Sequence, residues 1–244
     1  MRQAILIALL LVGLSASAQT AYKGGYGYVY DRHQSYGMHI HNLGWGLETR
    51  WGWYQGVQKS TFFDLNISHL KNPKEYKMSS GYQGSRSYVY GKLNDFWTLR
   101  AGVGIHRQLF EPNDWNGIDV GYQLSCGLSL GMLKPQYLII LKFGPTPDDI
   151  TEIEEKYDPS QHFLENIKGN GSFFNGLNEL KPYTGAYLKA GMTFDVSQYE
   201  DEIRIFEVGA TADLFPVKIP ILYGEQNRRS YLAFYFAFRF GKKT

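Results

Sequence analysis

The sequence predicts an all-β protein, a closed antiparallel transmembrane β-barrel of about ten strands, with eight or twelve as the alternatives and with one long external loop. Three observations predict this fold: runs in which apolar and polar residues alternate, an aromatic- and glycine-rich composition, and an N-terminal segment typical of an export signal. Tyr, Phe and Trp make up 16% of the 244 residues, and there are 27 Gly. This composition is common in barrels with aromatic girdles and unusual in globular domains.

The N-terminal segment has the order of a secretory signal. One arginine near the start is followed by an apolar run from Ala4 to Leu14 and then by Ser15-Ala16-Ser17-Ala18. The run is too short for a membrane-spanning helix, which needs about 20 residues. We therefore expect residues 1–18 to be cleaved after Ala18, residues 19–35 to form a periplasmic extension or the start of the first strand, and residues 36–244 to form the barrel.

Charge and cysteine content exclude two classes of protein. The net charge is +2, which gives no electrostatic reason to expect a nucleic-acid partner. The single cysteine, Cys126, cannot form an internal disulfide, so the chain is not a disulfide-stapled secreted module. Every other apolar stretch is interrupted by polar residues, so strands would have to cross a membrane, and only a closed barrel satisfies their backbone groups there.

The first half of the chain contains five runs of alternating residues. They are residues 36–41, 45–53, 61–69, 87–92 and 97–106. The fourth run is short, with only Tyr88 and Tyr90 alternating, and the fifth follows Asn94-Asp95, a candidate two-residue hairpin. The fifth run alternates most cleanly, which predicts a strand with one apolar and one polar face.

The second half contains five more runs. They are residues 118–130, 137–143, 186–195, 204–214 and 231–240. The sixth run keeps its alternation without a break, whereas the seventh is apolar on both faces and allows no face assignment. The tenth has phenylalanines along one face, and it resembles the C-terminal signal by which the barrel-assembly machinery recognises outer-membrane proteins.

The two faces of these runs differ in a way that favours a membrane barrel over a soluble sandwich. The polar face is rich in Gly, Ser and Thr with scattered charges, which is typical of a crowded interior that tolerates charges only in pairs. We expect a charge network in the lumen, formed by Glu48, Arg50, Asp64, Arg100, His106, Asp119, Lys189, Asp195, Glu207, Asp213 and Arg239. We expect lipid-facing or girdle aromatic residues at Trp45, Trp51, Trp53, Trp97, Phe234, Phe236, Phe238 and Phe240.

The lengths of the connections predict which end of the barrel is external, because such barrels have short periplasmic turns and longer external loops. If the last strand ends in the periplasm, the turns are 54–60, 94–95, 132–135 and 197–201. The external connections are then 42–44, 71–86, 109–116, 144–182 and 215–229. The 144–182 loop is acidic, with eight Asp or Glu against three Lys, and we expect it to contact a partner.

Several short segments resemble a known family. They are Lys92-Leu93-Asn94, Leu133-Lys134-Pro135, residues 156–163, residues 215–221 and Phe240-Gly241-Lys242. Together they resemble a family of small, functionally uncharacterised outer-membrane β-barrels of Bacteroidetes type, over most of the mature chain. The resemblance implies a fold and a location in the bacterial outer membrane, and it brings no catalytic residues.

The function favoured by the sequence is that of a non-enzymatic structural or accessory subunit of an envelope transport or assembly complex. Its partners would be outer-membrane lipid, the barrel-assembly machinery during insertion, and another envelope protein bound through the 144–182 loop. One alternative is a rim-site hydrolase acting on lipid or peptide, in which His39, His41 or His106 would meet a carboxylate or hydroxyl in an open cleft. Another is a narrow channel. The sequence assigns no catalytic residue, cofactor or metal ligand.

Overall fold

The computed structural model describes residues 30–56, 58–110, 117–144, 150–199, 201–224 and 227–244. The expected signal segment, residues 1–18, and residues 19–29 lie outside these ranges. The first strand begins at Arg32, so residues 32–35 belong to it. Within the described part of the chain, no helix is long and apolar enough to cross a membrane.

Thirteen strands and one short 3₁₀ helix make up the regular structure of the described residues. In chain order the strands are β1 Arg32–His41, β2 Gly44–Tyr54, β3 Lys59–Leu70, β4 Lys77–Met78, β5 Tyr88–Val89, β6 Asn94–Phe110, β7 Asp119–Pro135, β8 Tyr137–Phe143, β9 Ile150–Lys156, β10 Ile167–Asn170, β11 Lys181–Asp195, β12 Glu202–Leu214 and β13 Ser230–Lys243. The 3₁₀ helix is Leu177–Glu179.

Eight of these strands form one closed barrel in the order β1-β13-β12-β11-β7-β6-β3-β2. Each strand pairs in antiparallel fashion with the barrel strand before and after it, and β13 pairs with β1 from His33↔Lys243 to His41↔Tyr235. All eight coincide with predicted runs, because a strand that separates two unlike environments must alternate along its whole length.

The expected number of about ten barrel strands is wrong, and the observed number is the alternative of eight. The two surplus runs lie outside the barrel. Residues 87–92 contribute only β5, which pairs with β4, and residues 137–143 form β8, which pairs with β9 and β10. The segment 137–143 is apolar on both faces because β8 packs within a separate small core, where Leu138 and Ile140 are buried.

Because the barrel has eight strands and not ten, several connections lie at the opposite end from the one expected. The loop end holds connections 42–43, 71–93, 136–180 and 215–229, and the turn end holds 55–58, 111–118 and 196–201 together with the start of β1 and the end of β13. Residues 94–95 and 132–135, expected as periplasmic turns, therefore lie at the loop end. The connection expected outside at 109–116 follows β6, whose last residue, Phe110, lies at the turn end, and residues 111–116 lie outside the described ranges. In the ten-strand expectation, each surplus strand reverses the expected direction of all the strands that follow it.

Much of the predicted long loop, 144–182, is folded. Strands β8, β9 and β10 form a three-stranded unit, here called the external sheet, in the order β10-β8-β9. Its core joins Leu138, Ile140 and Ile167 to Tyr157 and to Tyr88 of the 71–93 connection. The two largest loop-end connections thus form one structure with its own apolar core.

The main apolar core closes the loop end of the barrel. Inward-facing residues of the strand ends pack against residues from the 215–229 connection, and we call this cluster the apolar plug. It contains Leu43, Leu70, Phe96, Leu133, Phe215, Ile219, Ile221, Leu222, Tyr231 and Ala233. Ile219 and Ile221 have no exposed surface. Because Ile221 O accepts hydrogen bonds from the backbone of Leu93 and Asn94, this connection is tied to the neighbouring one.

Candidate functional site

The outer face of the barrel carries large apolar side chains on every strand. Among the expected aromatic residues, Trp45, Trp53, Phe234, Phe236 and Phe240 are exposed on this face, and Trp51, Trp97 and Phe238 are half-buried. Neighbouring rings contact one another, as in the edge-on pair of Trp45 and Trp97 at 5.7 Å and the stacked pair of Trp51 and Phe63 at 6.0 Å. The aromatic side chains therefore cover the outer wall.

The inner face carries the charges. Eight of the eleven residues expected in the lumen network are between 0% and 5% exposed: Glu48, Arg50, Asp64, Arg100, Lys189, Glu207, Asp213 and Arg239. Four are carboxylates and four are cations, so their formal charges cancel. Buried charges are tolerated only when they are paired and hydrogen-bonded, so the burial of each group depends on its partners.

Arg100 and Asp213 form a two-point pair across the barrel, from β6 to β12. Arg100 Nε donates to Asp213 Oδ1 at 2.8 Å, and Arg100 Nη2 donates to Asp213 Oδ2 at 2.7 Å. Ser129 Oγ donates to the same carboxylate at 3.0 Å, and Arg100 Nη1 donates to Asn66 Oδ1 at 3.0 Å. This fork-like geometry is the strongest form of ion pair in proteins.

Glu207 is the centre of the second network. Its carboxylate lies 3.1 Å from Lys189 Nζ and 3.0 Å from Arg239 Nη2, and it accepts hydrogen bonds from Tyr235 Oη and Gln123 Nε2. Lys189 Nζ also lies 2.6 Å from Glu48 Oε2. Side chains from β2, β7, β11, β12 and β13 therefore meet in the middle of the lumen.

Glycines on the inner face make room for these large side chains. A Cβ atom added at Gly37 would lie 2.4 Å from Arg239 Cγ, and one added at Gly102 would lie 2.4 Å from Tyr187 Oη. Tyr187 Oη in turn donates to Asp64 Oδ1 at 2.7 Å. The small residues noted in the sequence thus allow side chains from other strands to fill the interior.

The other three expected network residues, Asp119, Asp195 and His106, lie toward the turn end and are half-buried. Asp195 accepts a hydrogen bond from Ser197 N at 2.9 Å, and it pairs with Asp119 in the β7–β11 register. His106 Nε2 lies 2.9 Å from Thr193 Oγ1. His106 was expected at the same rim as His39 and His41, but β6 runs from the loop end to the turn end, so it lies at the opposite end of the barrel.

His39 lies beside a serine, although the pair has no open cleft. His39 Nε2 is 3.0 Å from Ser68 Oγ, and the two residues are 5% and 0% exposed. Ser68 Oγ donates its proton to Asn66 Oδ1 at 2.8 Å and accepts from Arg100 Nη1 at 2.9 Å. Because both residues are buried and Ser68 Oγ also contacts Asn66 and Arg100, the pair is a hydrogen-bonded part of the interior with no opening to a substrate.

His41 has a structural contact at the loop end. Its Nδ1 accepts a hydrogen bond from Leu43 N at 3.2 Å in the tight connection between β1 and β2. Its ring stacks on His39 with the centroids 5.6 Å apart. Among the described residues, no group of three or more His, Cys, Asp or Glu is arranged to hold a metal ion.

A smaller ion cluster joins the 71–93 connection to the loop ends of β6 and β7. Lys92 Nζ lies 2.9 Å from Glu75 Oε2 and 2.8 Å from Asp95 Oδ1, and Lys134 Nζ lies 3.6 Å from Asp95 Oδ2. Burial alone would lower the pKa of the Lys92 ammonium, but Asp95 and Glu75 outweigh it and raise the pKa above its ordinary value. Lys92 therefore stays charged and holds the 71–93 connection against β6.

Sequence reasoning missed the apolar plug, the Lys92 cluster and the neutral partners Gln123, Tyr187 and Tyr235. One signal for the plug was present. The segment from Phe215 to Ile221 is apolar at four of its seven positions, which is unusual for a solvated loop. The partners of the charges carried no comparable signal, because contacts across a barrel join residues far apart in the chain.

No protein-family model matches the chain, and no curated protein sequence matches it. Ail, the attachment invasion locus protein of Yersinia pestis, solved in complex with the heparin analogue sucrose octasulfate, is similar with a TM-score of 0.39 and 8% identity over 89% of this chain and 100% of that one. Neisserial surface protein A has a TM-score of 0.39 and 10% identity over 87% and 96%. Similarity at this level implies nothing about the function of this chain. That the barrel is closed and has eight strands is known from the strand pairing of this chain itself.

Proposed function

We propose that this chain is an integral β-barrel protein of the bacterial outer membrane that acts as a non-enzymatic accessory subunit, with the barrel as anchor and the external sheet as the surface for another envelope protein. The proposal rests on the distribution of charged and apolar side chains between the two faces of the barrel. Eight charged residues are buried inside the barrel, whereas its outer face is apolar and exposed on all eight strands. A protein dissolved in water would have the opposite arrangement.

The aromatic residues support a membrane location. Trp45 and Trp97 lie near the loop end of the outer face, and Trp53 and Phe240 lie near the turn end. Two such belts match the two interfaces of a bilayer, where aromatic rings are enriched. The resemblance to Bacteroidetes-type barrels is part of this proposal, as is export by a signal cleaved after Ala18.

Leu128→Arg is expected to destabilise the barrel by about 2–4 kcal/mol, because Leu128 lies near the middle of β7 and is 75% exposed to the proposed hydrocarbon. The free energy of unfolding in lipid vesicles, measured by urea titration, checks this prediction. Tyr76→Arg is the control, since Tyr76 is 77% exposed on the 71–93 connection. Equal costs for the two variants would contradict the membrane proposal.

The closed interior supports anchoring rather than transport through the lumen. The charge networks fill the middle of the barrel, and the apolar plug closes its loop end. The narrow channel therefore finds no support in the described residues. The rim-site hydrolase also finds none, because His39 contacts its serine in a buried position and His106 lies at the turn end, where it contacts Thr193.

The external sheet supports the accessory role, because β9 is its edge strand and is exposed along most of its length. We expect wild-type protein purified from outer membranes to retain one stoichiometric partner and Glu152→Lys to lose it, since Glu152 is an acidic residue of that exposed strand. Glu202→Lys, a charge reversal at the turn end, is expected to keep the partner. Purification of the wild-type barrel alone would contradict the accessory role.

A further inference from the structure

One segment of the loop end carries apolar side chains that the described chain leaves largely exposed. Residues 172–180, here called the outer segment, include Phe173, Phe174, Leu177 and Leu180, which are 52%, 75%, 38% and 41% exposed. The segment immediately precedes β11, so it lies beside the barrel wall. Four large apolar residues within eight positions are far more than a solvated loop usually exposes.

The outer segment packs against the outer wall of the barrel and not over its mouth. The ring of Phe173 lies 6.3 Å from that of Trp97, and Phe174 packs edge-on against Phe173 at 5.8 Å. Trp97 in turn contacts Trp45 at 5.7 Å and His69 at 4.8 Å. The apolar surface of the segment is therefore continuous with the loop-end aromatic belt.

Two polar side chains of the outer segment are paired with the external sheet. Glu179 accepts a hydrogen bond from Tyr137 Oη at 2.6 Å and pairs with Lys156 Nζ at 2.6 Å. Asn175 donates its side-chain amide to Glu154. The charge of Glu179 and the amide of Asn175 are thus satisfied by the external sheet.

The backbone of the segment is held by a buried lysine. Lys134 Nζ donates to the carbonyl oxygens of Phe173 and Asn175 at 3.1 and 3.4 Å, and it lies 4.9 Å from the centre of the Phe173 ring. Carbonyl groups near the membrane need such partners, because hydrocarbon offers none. The segment therefore has protein partners for part of its backbone and for two polar side chains, whereas its large apolar side chains are exposed.

From this arrangement we infer that the outer segment is immersed in the outer leaflet of the membrane, with Phe173, Phe174 and Leu177 among the lipids at the boundary between head groups and acyl chains. The inference rests on the proposed membrane location, and it names lipid as the occupant because the exposed surface continues the belt of Trp45 and Trp97. Interfacial segments with this pattern bury their apolar side about 5–10 Å into that boundary.

Site-specific fluorescence quenching tests the inference in the full mature chain. In a Cys126→Ser background, a fluorophore is attached to Phe174→Cys, reconstituted in phospholipid vesicles, and exposed to lipids brominated near the glycerol or near the chain end. We expect a loss of fluorescence that is larger with the shallow bromine. Leu177→Cys is a second reporter, which guards against a local effect of one substitution.

Two control positions separate this inference from the membrane proposal. Leu188, on β11 and 52% exposed, is expected to lose fluorescence with the deep bromine, and Tyr76, on the 71–93 connection, is expected to lose none. If the fluorophores at positions 174 and 177 are not quenched, like the one at position 76, while the fluorophore at position 188 is quenched, the segment faces water or another protein. That result overturns the inference. If 188 is also unquenched, the membrane location fails as well.

Discussion

Replacing Arg100 with methionine is expected to lower the free energy of unfolding by about 3–5 kcal/mol. The substitution removes the two-point pair with Asp213, whose side chain has no exposed surface, and leaves that carboxylate in the interior with only neutral donors such as Ser129. The loss comes mainly from the unpaired buried charge and not from the pair's own attraction. Urea titration of the protein in lipid vesicles measures it.

Two further variants test that explanation. Arg204 pairs with Glu202 at 2.8 Å, but its side chain is 45% exposed, so Arg204→Met is expected to cost at most about 1 kcal/mol. Combining Arg100→Met with Asp213→Leu removes both charges and is expected to recover much of the stability. A double variant as unstable as Arg100→Met alone would show that the ion pair is not the reason for the loss.

Phe96→Ala is expected to lower the free energy of unfolding by about 3–5 kcal/mol, because Phe96 is fully buried in the apolar plug. Its ring contacts Phe215 and Tyr231 with centroid distances of 5.5 and 5.3 Å. The surrounding wall is hydrogen-bonded from strand to strand and cannot collapse into the space, so a cavity remains. The same urea titration checks this prediction.

Phe234→Ala is the matched control for the plug variant. Phe234 is 61% exposed on the outer face, where lipid chains can fill the space that the ring leaves. We therefore expect a smaller loss than for Phe96→Ala. Equal losses would argue that the plug adds no stability beyond that of an ordinary wall position.

The barrel strands could be predicted because each one separates two unlike surroundings. The run at 118–130 alternates without a break, and all of it except Ile118 lies within β7. Two other runs misled the strand count: residues 137–143 show no preferred face, and residues 87–92 are too short to cross a membrane. Local pattern cannot distinguish a strand of the wall from one of a loop domain, since both need extended backbone and apolar side chains.

The candidate site was predictable by face but not by partner. Alternation assigns Arg100 and Asp213 to the polar side of their strands, yet nothing local indicates that they pair across the barrel. The end of the barrel at which a residue lies depends on the number of strands before it, so the surplus run at 87–92, which precedes His106, moved this residue to the wrong rim. The apolar plug could not be predicted from alternation either, because Ile219 and Ile221 lie in irregular backbone, where apolar residues do not recur at a fixed spacing.

The seam between β1 and β13 has a kinetic consequence. Tyr36 pairs with Phe240, so the wall is completed only when segments about two hundred positions apart meet. Until then both strands present unsatisfied edges, which are templates for pairing with other chains. We infer that closure of the barrel by pairing of β1 with β13 is the slow, aggregation-sensitive step of folding. An unclosed intermediate then requires a chaperone until these two edge strands pair.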